Sequence, residues 1–348
     1  MRPIKELVRP HLLDLKPYSS ARDDFQGQAS VYLDANENPL GSVPTGNFNR
    51  YPDPHQVELK NALAKLKGVI QDQIFLGNGS DEPIDLLIRA FCEPGVDEVI
   101  ILPPTYGMYK VSAAINNVEI REVPLNPSFQ LDVPAILENI GDHTKLIFVC
   151  SPNNPSGNLM RVEDVLKIAQ QFDGLVIIDE AYIDFAASES LINKMDQYPN
   201  LVILQTFSKA WGLAAIRLGV TYSNAEVISI LNQIKPPYNI DYATQEAGLL
   251  ALQSKTKKDE FVEDILSEKK RLLSELINFP QVVEILPSDA NFLLVRFQDA
   301  QKINAYLRSQ GIIVRDRSKE LNCAECLRIT VGTAIENNSL LESLRRYS

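Results

Sequence analysis

Cysteine is scarce and scattered. Cys92, Cys150, Cys323 and Cys326 are the only four in 348 residues, too few and too uneven for a disulfide framework in a chain of this length. A reducing compartment suits that usage. Cys323 and Cys326 have the spacing of half a zinc site, but no second cysteine pair and no histidine pair completes a ligand set. They read as a loop entering a strand. Histidine is rarer still: His11, His55 and His143 stand singly, without triad or metal spacing. No apolar run approaches the roughly twenty residues needed to span a bilayer. The opening MRPIKELVRPHLLDLKPY lacks the apolar core of a secretory signal, so the expected location is the cytoplasm. Positive charge is in deficit too. A formal net charge of -11 disfavours nucleic acid or an anionic membrane as the main partner, and any phosphorylated ligand must be held by local groups. There is no internal repeat and no low-complexity tract.

Hydrophobic residues make up 45% of the chain, enough for a sizeable core, and the length suits a large domain plus a smaller one. Residues 1–45 are rich in Pro, Asn and Asp with little periodicity and read as an arm; Asn36 lies in it. In residues 46–240 short apolar runs each end in a polar or glycine-rich turn: IFLGNGS, EVIILPPTY, KLIFVCSPNNPSG, LVIIDEAY, LVILQTFSK and IRLGVTY. Runs this apolar predict strands buried on both faces, and EPIDLLIRAF and VEDVLKIAQQF between them have helical spacing. The alternation predicts an α/β fold, a mostly parallel sheet covered by helices. Residues 241–348 begin with a charged helical stretch through Asn278. The candidate strands VVEIL, NFLLVRF, GIIVRD and CLRITVG follow, with the helical QKINAYLRSQ among them. A smaller α+β domain is expected there.

The polar residues able to do chemistry cluster just after the strand runs, where open α/β sheets place their ligand crevice. Gly77 to Pro83 turns from a strand into a helix, whose free N–H groups favour a phosphate; Ser80 or Asp81 acting as an ordinary N-cap explains it equally. With Asp81 and Glu82 present, such a phosphate would need backbone donors and a cation from elsewhere. Tyr106, after Pro103-Pro104-Thr105, is an aromatic at a strand end, able to stack on a flat ring or simply to pack. Ser151 to Gly157 is a proline and glycine turn carrying the amide of Asn154. Asp179, followed by Glu180-Ala181-Tyr182, leaves a buried strand with a carboxylate that is costly unless a cation or several donors meet it. A protonated pyridine nitrogen is such a cation. Ser208-Lys209 puts an amine at a strand end beside small hydroxyls and Arg217, a nucleophile if its pKa falls from about 10.4. Trp211, just after it, either packs beneath this region or supports the turn.

In their order and spacing these blocks resemble the fold-type-I pyridoxal-phosphate aminotransferases, most closely the histidinol-phosphate aminotransferase branch. The resemblance covers nearly the whole chain and is carried by LDANENP, RYPDP, GNGSDEPIDLLIRAF, SPNNPSG, IIDEAY, TFSKAWGLAAIRLG and CLRITVGT. It implies that Lys209 is the Schiff-base lysine of pyridoxal 5'-phosphate, Asp179 the partner of its ring nitrogen and Tyr106 the stacking ring. Asn154 and Tyr182 match the groups that bond the phenolic oxygen. Ser80, Asp81, Ser208 and Arg217 match the phosphate cup, with Ser80 and Asp81 giving backbone amides. Tyr51 matches the tyrosine that reaches the phosphate of the neighbouring subunit, so a homodimer with shared sites is implied, the arm packing on the small domain and the dimer partner. Arg328, Arg315 and Tyr18 match groups for the substrate's anionic end, and Arg317, two residues from Arg315, is a substitute if that strand continues.

The activity so implied is transamination of L-histidinol phosphate with 2-oxoglutarate, giving imidazole-acetol phosphate and L-glutamate in histidine biosynthesis. Lys209 would serve as anchor and base, and Asp179 would keep the ring nitrogen protonated, with Tyr182 beside them. An aromatic aminotransferase or a threonine-phosphate decarboxylase shares the cofactor cradle. A non-catalytic regulator with this body would be expected to carry a basic DNA-binding module, which does not precede it. A dinucleotide oxidoreductase would need the G-x-G-x-x-G spacing that GNGSDEP lacks.

Overall fold

The computed structural model of the chain describes residues 2–16, 30–46 and 48–347; Tyr18 lies outside the described residues. The six apolar runs become strands of a seven-stranded sheet. In chain order its strands are β1 (Ile74–Asn78), β2 (Glu98–Ile101), β3 (Glu119–Glu122), β4 (Thr144–Cys150), β5 (Leu175–Asp179), β6 (Leu201–Thr206) and β7 (Leu218–Tyr222). They lie in the order β1-β7-β6-β5-β4-β2-β3, with only β7 antiparallel to its neighbours. Every residue of β5 and β6 is buried. Alternate side chains feed opposite cores: Ile147, Val176 and Ile203 enter one, and Phe148, Ile177 and Leu204 the other. The seventh strand, β3, has no apolar run. It is the sequence EIRE on the sheet edge, exposed or half-buried throughout, held by its parallel pairing to β2 and by an Arg121–Glu98 ion pair at 2.7 Å.

Eight helices accompany this half of the chain: α1 (Ile4–Leu7), α2 (Pro10–Leu13), α3 (Val57–Lys67), α4 (Asp81–Phe91), α5 (Met108–Ile115), α6 (Val133–Glu138), α7 (Val162–Gln171) and α8 (Ala225–Ile234). The described start of the arm differs from expectation. Ile4, Leu7, Val8 and Leu12 join the core formed with α4 and α8, and Arg9 pairs with Glu93 at 3.1 Å. That segment therefore covers the large sheet's helices, because α1, α2 and Val8 between them offer four apolar side chains to bury.

The helical stretch after Asp241 divides at Ser254 into α9 (Tyr242–Gln253), N-capped by the Asp241 carboxylate, and α10 (Lys255–Leu276). A second, antiparallel sheet follows: β8 (Val282–Ile285), β9 (Phe292–Phe297), β10 (Arg315–Asp316) and β11 (Cys326–Thr330), in the order β10-β11-β9-β8. It is covered by α11 (Ala300–Ser309) and α12 (Ala334–Arg346), with Leu276, Val295, Leu327 and Leu341 in their shared core. The run GIIVRD pairs only at Arg315 and Asp316. Cys323 and Cys326 are buried and unbridged, in the turn that enters β11. No helix among the described residues is long and apolar enough to cross a membrane.

The sheet and the turn after β1 meet without side chains between them. A Cβ on Gly219 would lie 2.2 Å from the Gly79 carbonyl oxygen, and Gly79 itself has φ +64°. Gly219→Ala is expected to destabilise the protein by about 1–3 kcal/mol through overpacking, read as a lower urea midpoint; an unchanged midpoint would contradict this close approach.

Candidate functional site

The carboxyl ends of β4, β5 and β6 and the start of α4 open on one cleft, lined by Ser80, Asp81, Tyr106, Asn154, Asp179, Tyr182, Ser208, Lys209 and Arg217 among others. Nine residues singled out from separate turns are thus brought together. Strand geometry accounts for this, since parallel strands with short connections deliver their C-terminal turns to one edge.

Asp179 is the innermost group, 3% exposed. Its carboxylate accepts hydrogen bonds from the Tyr109 hydroxyl at 2.7 Å and the Ala181 N–H at 3.1 Å. No lysine or arginine is within ion-pair distance of it among the described residues. Burial pushes its carboxyl above the usual range, and the two hydrogen bonds oppose that shift. Glu180, next along the chain, points to the other side and is a structural group. It accepts from Gln205 at 2.9 Å and from the Leu191 N–H at 2.8 Å, tying down the segment after the strand.

Lys209 follows β6 and faces this carboxylate across the cleft. Its Nζ lies over the Tyr182 ring, 5.6 Å from the centroid. Desolvation pushes the amine below the ordinary lysine value, Arg328 adds to the effect, and Asp179 opposes it. Trp211 supports the turn, its ring stacked on Phe207 at 5.0 Å and the Lys258 Nζ lying over it 5.4 Å from the centroid.

At one end of the cleft Ser80 stands at the N-cap position of α4, but its hydroxyl caps nothing, leaving the Asp81 and Glu82 N–H groups without a side-chain cap. Arg217 reaches across to Asp81 at 3.1 Å and to the Ser208 hydroxyl at 3.5 Å. Asp81 also accepts from the Tyr106 hydroxyl at 3.0 Å. Arg217 has φ 54° and its own main chain returns to Gly79, so the guanidinium and the glycine turn are built against each other.

At the other end Arg328 donates to the Asn154 side-chain oxygen and lies over the Phe292 ring at 5.3 Å. Phe292 in turn meets Tyr182 edge-on at 5.2 Å. Arg315 is the cross-strand partner of Arg328. Two arginines directly opposite each other repel, which suits an anion between them. Arg317 does not continue that strand. It turns to Glu320, yet its charge still acts on Arg328, whose pKa is lowered by burial first and then by Arg317. Its Nε is buried without a partner.

Tyr51 is absent from this lining. It is half exposed, stacked on Tyr238 at 4.5 Å, in a separate cleft beside Asp241 and Tyr242. Three residues in or beside the site escape the sequence reading. Tyr109 lies in the first turn of α5, three residues after Tyr106, and the two rings meet edge-on at 5.6 Å; its closeness in sequence to Tyr106 was the available signal. Thr206 bonds the Ser208 hydroxyl at 3.0 Å, and Phe292 looks like any core residue of a strand.

Residues 24–344 match the family described as aminotransferase class I and II. The chain is 55% identical to a histidinol-phosphate aminotransferase of Cytophaga hutchinsonii over 344 residues, 99% of each chain. It is 52% identical to one of Parabacteroides distasonis, again over 99% of each. Among solved structures it resembles histidinol-phosphate aminotransferase from Sinorhizobium meliloti in complex with pyridoxal-5'-phosphate, with a TM-score of 0.79, 26% identity and 90% of each chain covered. Converging turns, a lysine facing a buried carboxylate and full-length similarity lead to one conclusion: the chain belongs to the class I and II aminotransferases, in their histidinol-phosphate aminotransferase family.

Proposed function

We propose that the cleft holds pyridoxal 5'-phosphate on Lys209 and transfers the amino group of L-histidinol phosphate to 2-oxoglutarate, releasing imidazole-acetol phosphate and L-glutamate. The observation that carries this reading is the buried Asp179 carboxylate, with no lysine or arginine at ion-pair distance among the described residues, in the same cleft as the depressed amine of Lys209. The residues fit the cofactor. Asp179 accepts from the protonated ring nitrogen, which is the missing cation. Tyr106 stacks on the ring, while Asn154 and Tyr182 bond its phenolic oxygen. The amides of Ser80 and Asp81, with Ser208 and Arg217, take the phosphate, as the uncapped start of α4 allows.

When bound, the cofactor supplies a sink for the electron pair left as the substrate's C–H bond breaks. Lys209 moves the proton at that carbon, its lowered pKa making the free amine available. Arg328 and Arg315 bind the substrate's anionic end, where paired guanidiniums match a phosphate; Tyr18 would join them. Asn154 touches both ends through its bond to Arg328, so it orients substrate against cofactor.

The organisation we infer is an arm over 1–45, a large domain over 46–240 and a small one over 241–348, in a cytoplasmic homodimer. Support for the dimer comes from Tyr51, which stands outside its own chain's cleft, and from Leu33, Leu40 and Val43, which are 89%, 94% and 101% exposed in the single chain. Tyr51 then completes the partner's phosphate site.

Purified protein with bound cofactor should convert L-histidinol phosphate and 2-oxoglutarate to glutamate, and do so with higher kcat/KM than phenylalanine, tyrosine or threonine phosphate as amine source. No turnover of histidinol phosphate would remove the substrate assignment. Light scattering on the eluted protein should give twice the mass of one chain; a monomer would contradict shared sites.

A pH prediction follows from Asp179. Its folded pKa is raised, so folding is not penalised below the unfolded carboxylate value and loses stability as pH rises through the raised value. Cofactor-free Asp179→Asn should therefore melt higher than cofactor-free wild type at pH 7, with the gap closing as the pH falls towards 4. A gap independent of pH would contradict it.

A further inference from the structure

Tyr109 is fully buried, with its ring stacked on Phe148 at 4.8 Å and an interplanar angle of 15°, and with Tyr106 edge-on at 5.6 Å. Its hydroxyl points at Asp179, 2.7 Å from Oδ2. Nothing about packing alone requires that hydroxyl: a phenylalanine would fill the same slot between Phe148 and the Tyr106 ring. A buried hydroxyl without an acceptor is costly, and Asp179 is the acceptor supplied. Among the described residues that bond is the only one a side chain donates to this carboxylate, and no lysine or arginine lies within ion-pair distance of it. Oδ1 takes the Ala181 N–H, so each carboxylate oxygen has one donor and one direction left for a ligand.

The geometry points to Tyr109 as a positioning residue for the transamination: its hydroxyl holds Asp179 ionised and oriented so that the ring nitrogen of the cofactor keeps its proton. This rests on the reading of Asp179 given above. The physical sense is definite. A hydrogen bond donated to a carboxylate favours the charged form. Removing it makes Asp179 a stronger base and draws the shared proton from the ring nitrogen onto the carboxyl oxygen, leaving Asp179 neutral and the ring nitrogen unprotonated. The phenol keeps its own proton throughout, because burial and the adjacent Asp179 carboxylate push its pKa well above the ordinary tyrosine value. Tyr106 is tied to the same assembly, edge-on to Tyr109 and donating to Asp81. The proposed ring-stacking residue and the residue that fixes the nitrogen's partner thus lie three residues apart, on either side of the start of α5.

The test is Tyr109→Phe, which removes the hydroxyl and leaves the ring. Wild type and variant are loaded with cofactor labelled with 15N at the ring nitrogen, and its chemical shift is followed with pH. In wild type the signal should stay at the protonated position across neutral pH. In Tyr109→Phe it should move towards the unprotonated position, and kcat should fall about tenfold, the scale of one lost hydrogen bond to a charged group, with KM for the amino donor little changed. A purely structural role would lower the melting temperature and leave the 15N position where it is; that result overturns the proposal. Asp179→Ala separates the two readings. If it leaves the 15N signal unmoved, the assignment of Asp179 is at fault. If it moves the signal and Tyr109→Phe does not, only the role of Tyr109 fails. Should Tyr109→Phe not fold, a crystal structure of the wild-type holoenzyme decides: a Tyr109 hydroxyl within about 3 Å of Asp179 supports the proposal, and one beyond hydrogen-bond reach overturns it.

Discussion

The seven-stranded sheet carries a carboxylate at a place where negative charge is expensive. Asp179 ends a strand that is buried at every position, in the middle of the sheet. An ionised carboxyl there must be compensated by donors or a cation. The chain contributes only part of that compensation, through Tyr109 and the Ala181 N–H. On the proposed reading the remainder comes from a ligand with a protonated ring nitrogen, whose binding would relieve the cost of burying that charge. Stability is given up at the site where function needs it, a common trade in enzymes.

On the proposed reading the two ends of the cleft use different devices for anions. One combines a guanidinium, Arg217, with an uncapped helix start. The other opposes Arg315 and Arg328 across two strands of the second sheet, with Arg317 acting on Arg328 from the side. The ends are joined by contacts between the sheets: Arg328 to Asn154, and Tyr182 to Phe292. Further along, the Asp289 N–H donates to the Gly157 carbonyl at 2.7 Å, and the Leu159 N–H to the Asp289 carboxylate at 2.9 Å. The SPNNPSG turn is thus both a wall of the cleft and the seam on which the second sheet rests.

Much of this was legible because strands buried on both faces leave uninterrupted apolar runs, and polar residues at their ends are then conspicuous. Lys209, Asp179, Tyr106, Asn154 and Arg217 each stood at such an end and share one cleft. What escaped had no such contrast. Strand β3 is polar because it lies at the edge, and pairing rather than burial makes it a strand. The arm's first helices are too short to show a period, so their apolar residues gave no clue to which surface they cover. Arg317 was placed by extending a strand that stops at Asp316. Tyr109 sat inside an ordinary amphipathic helix, where a tyrosine reads as core until its hydroxyl is seen to need an acceptor.

The central claim is that Lys209 is the residue to which the cofactor is attached. Reduction of the loaded protein with borohydride fixes that linkage permanently, and digestion followed by peptide mass spectrometry locates it. A single pyridoxyl-modified peptide, carrying the modification on Lys209, is the predicted result. Modification of a different lysine, or none at all, would contradict the account.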